Sequence, residues 1–269
     1  MPCTRVKDNA KRSKIFFMGT KVRISEYNTK RKSKKNQFCF YGFLKSSTFA
    51  TAMSIHYTKK EEAINWSSHA AGIILGCVFG VVFVLLCVKS GNGWMQAGVI
   101  LYLFGMLSSY IASTAYHATP ARFAKAKERL RRWDHAAIYW HIAGSYSPVT
   151  LIALREDDYW GWLLFSLVWT CAIVGTATSF VRLKEHSNLE TVCFVLMGLS
   201  VLIAFQPLIQ HVSQAAVAWI IGEGVCYIIG ALFYSLNRKK YMHSVFHFFV
   251  LAGSVCHIMA VWDILQQYL

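Results

Sequence analysis

Seven times between residues 66 and 265 the chain runs through about twenty predominantly apolar residues, the length a helix needs to cross a ~30 Å hydrocarbon core. The segments are 66–88, 94–116, 135–154, 160–180, 189–208, 215–236 and 245–265. A soluble core does not require such lengths free of Lys and Arg, and with 55% hydrophobic and 15% aromatic residues the chain has the composition of a multi-span membrane protein. The expected fold class is therefore all-α, a seven-transmembrane helix bundle. Trp66, Trp94, Trp133, Trp160, Trp162, Tyr241 and Trp262 fall near span ends, where amphipathic rings sit at headgroup depth.

Charge then gives the orientation. Alternate connections carry Arg122, Lys125, Lys127, Arg129, Arg131 and Arg132, then Arg182 and Lys184, then Arg238, Lys239 and Lys240. The other set carries only Lys89 and Arg155, so the bias is eleven to two. Basic loops stay inside, which predicts a cytoplasmic N-terminus and a C-terminus outside. The net charge of +15 is thus topological first. Nucleic-acid binding, which needs a basic face on a folded module, does not fit basic residues divided among loops and a tail.

Residues 1–52 differ from the rest, with 13 basic residues against two acidic and no apolar run of spanning length. The expected division is a basic N-terminal extension over 1–52, disordered or translated upstream of a start at Met53, and a membrane domain over 53–269. Five of the eight cysteines, Cys77, Cys171, Cys193, Cys226 and Cys256, lie at membrane depth with no C-x-x-C spacing. They read as small apolar residues and not as a disulfide framework.

Thr58 and Glu61 have capping-box spacing, so a helix is expected to begin just before the first span. Glu62, Asn65 and His69 follow at i, i+3 and i+7 on one face of it. Gly72, Gly76 and Gly80 repeat every four residues and allow a neighbouring helix to come close. Pro148 removes a backbone donor within the third span and predicts a bend.

The polar residues at the span ends form a pattern. Ser113 and His117 are an i, i+4 pair closing the second span, Asp134 opens the third, and His243 and His247, again i, i+4, open the seventh. Alternating spans bring all of these to one side of the membrane. Three neutral imidazoles with an open fourth position suit a catalytic zinc. The seventh-span pair is His-Ser-Val-Phe-His and lacks the glutamate of His-Glu-x-x-His, so Asp134 is the candidate proton acceptor for the attacking water and Ser113 a hydrogen-bond donor to the oxyanion. A plainer reading treats His117 and His243 as interfacial residues and Asp134 as the N-cap of the third helix. His141, seven residues past Asp134 on the same face, is a candidate for cavity lining or support of the site. His257, about 15 Å along the helix from His247, is too far to share a metal. Glu223 is costly at mid-span unless neutral or paired.

Glu62-x-x-Asn65-x-x-x-His69, Ser113-x-x-x-His117 with Asp134, and His243-x-x-x-His247 together resemble the three motifs of the hemolysin III and progestin/adipoQ receptor family. The resemblance covers about residues 57 to 265. The compact loops, Asp134-His-Ala-Ala-Ile138 and Ala143-Gly-Ser-Tyr-Ser-Pro148 are similar to the bacterial branch, which implies a bacterial plasma membrane. It also implies zinc ligands at His117, His243 and His247, Asp134 holding the reactive water, Ser113 beside it, and Glu62, Asn65, His69 and His141 around them. His135 stands where many receptor-branch members have tyrosine, which speaks against a hormone receptor.

Three functions remain open at this level: a zinc-dependent, ceramidase-like hydrolase of lipid amides or esters with a fatty-acyl substrate, a cytolytic or channel-like protein, and a sensor with structural zinc. A retinal pump is excluded because the seventh span has no lysine for a Schiff base.

Overall fold

The computed structural model describes residues 57–157, 159–182, 188–236 and 239–269. The expectation for residues 1–52 lies outside them. Among the described residues the regular structure is helical: α1 Lys59–Ser90, α2 Gly93–Ala118, α3 Ala124–Pro148, α4 Trp160–Arg182, α5 Asn188–Gly198, α6 Phe205–His211, α7 Gln214–Ser235 and α8 Met242–Tyr268. A π-helical turn, Val149–Ala153, extends α3, and a 3-10 segment, Leu199–Ala204, joins α5 to α6.

Contacts along the helices fix their directions. Gly72, Gly76 and Gly80 of α1 face Tyr110, Leu107 and Leu103 of α2, so these helices run antiparallel and the four-residue glycine spacing is the packing seam expected of it. Gly105 of α2 and Gly144 of α3 meet backbone to backbone; a Cβ on Gly144 would stand 2.8 Å from the Leu101 carbonyl, too close for any other residue. Trp140 of α3 bonds Thr176 of α4, Tyr146 of α3 bonds the α5 backbone at Gly198, and Glu223 of α7 meets His257 of α8. The described chain therefore makes seven traverses in alternating directions, α5 and α6 together forming the fifth.

Six of those traverses are helices long and apolar enough to cross a membrane: Lys59–Ser90, Gly93–Ala118, Trp160–Val181, Leu189–His211, Gln214–Ser235 and Met242–Tyr268. The third, expected as a span over 135–154, is not among them. Its interior carries His141, Ser145, Ser147 and Thr150, all buried, and Val149–Ala153 is buried throughout. This traverse is walled in by neighbouring helices, so its side chains answer to protein and not to lipid. By contrast α1 exposes Ile74, Val81 and Leu85 at 62–65%. An apolar exterior around a partly polar interior is the inverse of a soluble protein and fits a bilayer. Trp94 and Trp162 stand half-exposed near helix ends, as interfacial rings do, and Trp66 and Trp133 are half-exposed farther along α1 and α3.

At Pro148, where the sequence places an interruption of the backbone ladder, the α-helix passes into the π-turn. Ser147 and Thr150 hydroxyls donate to the Ala143 and Tyr146 carbonyls and satisfy backbone groups there. Thr58 caps α1 with Glu61 in the full reciprocal box. Glu61 does more than close the box, since its Oε1 accepts from the Tyr241 backbone N–H at 2.8 Å. Tyr241 is the one non-glycine residue with positive φ, 64°, among the described residues, and it precedes α8. One carboxylate thus ties the start of α1 to the start of α8, where His243 follows.

Candidate metal centre

The end of α2 and the beginnings of α1, α3 and α8 meet at the end of the bundle that carries the basic connections. There His117, from the last turn of α2, meets His243 and His247, from the first two turns of α8. Their candidate ligand nitrogens all lie within 4.8 Å of one another, and all three rings are buried. His243 Nε2 is 3.2 Å from His117 Nε2 and 3.0 Å from His247 Nε2.

The far sides of the rings decide what those three nitrogens can be. His117 Nδ1 donates to Glu62 Oε2 at 2.6 Å, and His247 Nδ1 donates to the Asn65 carbonyl at 3.1 Å. A carboxylate and a carbonyl only accept, so Nδ1 carries the hydrogen in both rings, and each ring in its neutral form turns a bare Nε2 lone pair inward. His243 can supply at most one Nε2 proton to two such neighbours. Convergent lone pairs at 3.0–3.2 Å repel unless a cation lies among them, and neutral imidazoles backed by carboxylate and carbonyl are the usual donor set for one. The residues present fit a metal ion.

The supporting groups come mostly from α1. Glu62 bridges His117 and Lys127, whose Nζ is 2.7 Å from its other oxygen and 2.9 Å from the Thr119 carbonyl. Asn65, fully buried, accepts from Ser244 at 2.6 Å and lies 3.5 Å from His117 Nδ1 through its amide. His69 stacks on His247 with ring centroids 3.7 Å apart, and neither of its buried nitrogens has a protein partner. The sequence-expected face of Glu62, Asn65 and His69 therefore does back the histidines.

Asp134 is not within the three-histidine group. It lines the cavity beside it, and the Ser113 hydroxyl bonds its carboxylate. The plainer reading of Asp134 as an N-cap does not hold: α3 begins at Ala124, so Asp134 lies in the helix interior, in its third turn. His141 does not reach the cluster either but lines the cavity as expected, and its Nε2 meets Ser254 Oγ at 3.4 Å, deeper in the bundle.

Several contributors were not legible beforehand. Tyr57 stacks on His243 with centroids 4.8 Å apart, and burial raises its hydroxyl pKa far above the usual tyrosine value. Ser68 reaches His247 Nδ1 at 3.4 Å, and Glu61 sets the α8 entry through Tyr241. Only the capping box signalled any of these. Glu223 and His257, read separately in the sequence, are hydrogen-bonded to each other at 2.7 Å. A cavity of about 990 Å³ runs from the three histidines to that pair, between apolar residues such as Ile142, Leu202 and Val250.

The family model for haemolysin-III related proteins matches residues 57–258, which includes every residue of this cluster. This chain belongs to that family. Among its relatives, "Hemolysin-3" of Bacillus cereus is 29% identical over 202 residues, 75% of this chain and 90% of the relative. "Hemolysin-3 homolog" of Bacillus subtilis is 30% identical over 205 residues, 76% and 94% of the two chains. An "ADIPOR-like receptor" of Saccharomyces cerevisiae is 26% identical over 254 residues, 83% and 78%. The resemblance to the hemolysin III and progestin/adipoQ receptor superfamily, with bacterial-type relatives, is thus established over residues 57–258 of this family member.

Proposed function

We propose that this haemolysin III family member is a zinc-dependent hydrolase of lipid amides or esters, embedded in a bacterial plasma membrane with its metal site near the cytoplasmic face. The observation that carries the reading is the convergence of three histidine Nε2 atoms at one end of a large cavity between apolar helices. A fatty-acyl chain fits such a cavity and brings its carbonyl to the histidines. Orientation follows from the basic residues around that end, Arg122 to Arg132 and Lys239 and Lys240, which favour the inside.

In this reading His117, His243 and His247 hold the zinc, which when bound polarises the carbonyl and makes water acidic enough to be used near neutral pH. Asp134 takes the proton of the attacking water as oxygen adds to the carbonyl carbon. The same proton then passes to the leaving amine or alcohol as the C–N or C–O bond breaks. Ser113 has one hydroxyl hydrogen. With that hydrogen on Asp134, its role moves from oxyanion donor to positioning the base. Glu62 and Asn65 fix the tautomers of two ligands, and Lys127 holds Glu62.

The names of the relatives suggest two other readings, a cytolysin and a receptor. A pore needs a polar path through the bilayer, and beyond Glu223 and His257 the interior closes with Val99, Met95, Ile264 and Leu265, all fully buried. A sensor with structural zinc differs from the hydrolase in turnover alone. The test is metal analysis of detergent-purified protein with a hydrolysis screen over lipid amides and esters. Zinc with turnover that needs Asp134 supports the hydrolase, and zinc without turnover of any substrate supports the sensor.

A further inference from the structure

The cavity that starts at the three histidines does not end in an apolar wall. Its deep end holds Glu223 of α7 and His257 of α8, with Oε2 and Nδ1 2.7 Å apart and side chains only 11% and 3% exposed. Ionisable groups at membrane depth are costly, and simple packing of α7 on α8 gives no reason for this pair. The two groups share a proton, which satisfies Nδ1. His257 Nε2, on the opposite side of the ring, is buried without a protein partner. A buried nitrogen of this kind calls for a hydrogen bond from whatever fills the space beside it.

We propose that Glu223 and His257 form a second polar subsite, which binds a hydroxyl group carried partway along a lipid acyl chain whose carbonyl lies at the three histidines. This rests on the acyl-chain reading of the cavity given above. A hydroxyl is the fitting partner because Nε2 accepts when the pair holds one proton and donates when it holds two, and a hydroxyl can answer either way. An ammonium would seek a carboxylate oxygen, whereas the atom left without a partner is the ring nitrogen. Spacing sets the position on the chain. His257 is ten residues beyond His247, about 15 Å along α8, a length spanned by about a dozen carbon–carbon bonds of ~1.5 Å in an extended zigzag. Ile220 and Val250 line the cavity and give the intervening methylenes an apolar wall.

The test is equilibrium binding of stearate and 12-hydroxystearate to the zinc-loaded, full-length protein in detergent. The hydroxylated acid is expected to bind roughly three- to tenfold more tightly, the worth of one buried hydrogen bond. His257→Phe should abolish that preference while leaving stearate affinity and metal content unchanged, and His257→Gln, whose amide both donates and accepts, should restore part of it. Equal binding of the two acids by the wild type overturns the subsite and leaves the acyl reading standing, and this comparison needs no variant to fold. A preference that survives His257→Phe also overturns the subsite. If neither acid binds, the acyl reading fails and the subsite with it.

Discussion

The two ends of the cavity bury histidines in opposite ways. At the mouth, Glu62 and the Asn65 carbonyl occupy the outer nitrogens of His117 and His247, so that lone pairs converge with too few protons to share. At the deep end one acid faces one base, Glu223 on His257, and a single proton joins them through Nδ1. The first arrangement suits a cation, and the second needs none. The number of histidines is a poor guide to a metal site; the partner on each ring's far side is the better one.

The comparison breaks most visibly at Asp134. Asp134→Asn should keep most of the zinc while lowering any hydrolysis by about 10²- to 10⁴-fold, the usual worth of a positioned proton acceptor. Parallel metal analysis and turnover assays check this, and loss of both together would move Asp134 into the ligand set. A smaller effect is expected behind the ligands. Glu62→Gln should weaken zinc binding by about 10- to 100-fold, because a neutral amide lacks the negative charge that makes His117 the more basic ligand, and competition with a chelator measures it. Lys127→Ala touches the metal only through Glu62, so its loss should be smaller than that of Glu62→Gln in the same assay. His257→Phe should leave zinc affinity unchanged, and a fall would mean that the two ends are not separate.

Much of this molecule was legible in the sequence because its strongest signals are local. Apolar length marks the traverses, Thr58 and Glu61 mark the start of α1, and i, i+4 spacing puts His243 and His247 on one face. The third traverse departs from the spanning pattern because hydropathy reads a lipid-facing helix, whereas α3 faces protein on every side that carries His141, Ser145 and Ser147. The Glu223–His257 pair escaped because it depends on the register of α7 against α8, which residues 34 positions apart do not announce. Tyr57 over His243 and Glu61 on Tyr241 are likewise tertiary facts, set by where α1 enters beside α8.

The most direct measurement is a zinc titration, read for stoichiometry and affinity, in the wild type, in His117→Ala, His243→Ala and His247→Ala, and in His257→Phe. The expected result is one ion per chain in the wild type and in His257→Phe, and affinity lowered by more than ~100-fold in each of the other three, beyond the loss that outer-shell changes cause. Wild-type occupancy in the three mouth variants would contradict the account and return His117, His243 and His247 to ordinary packing.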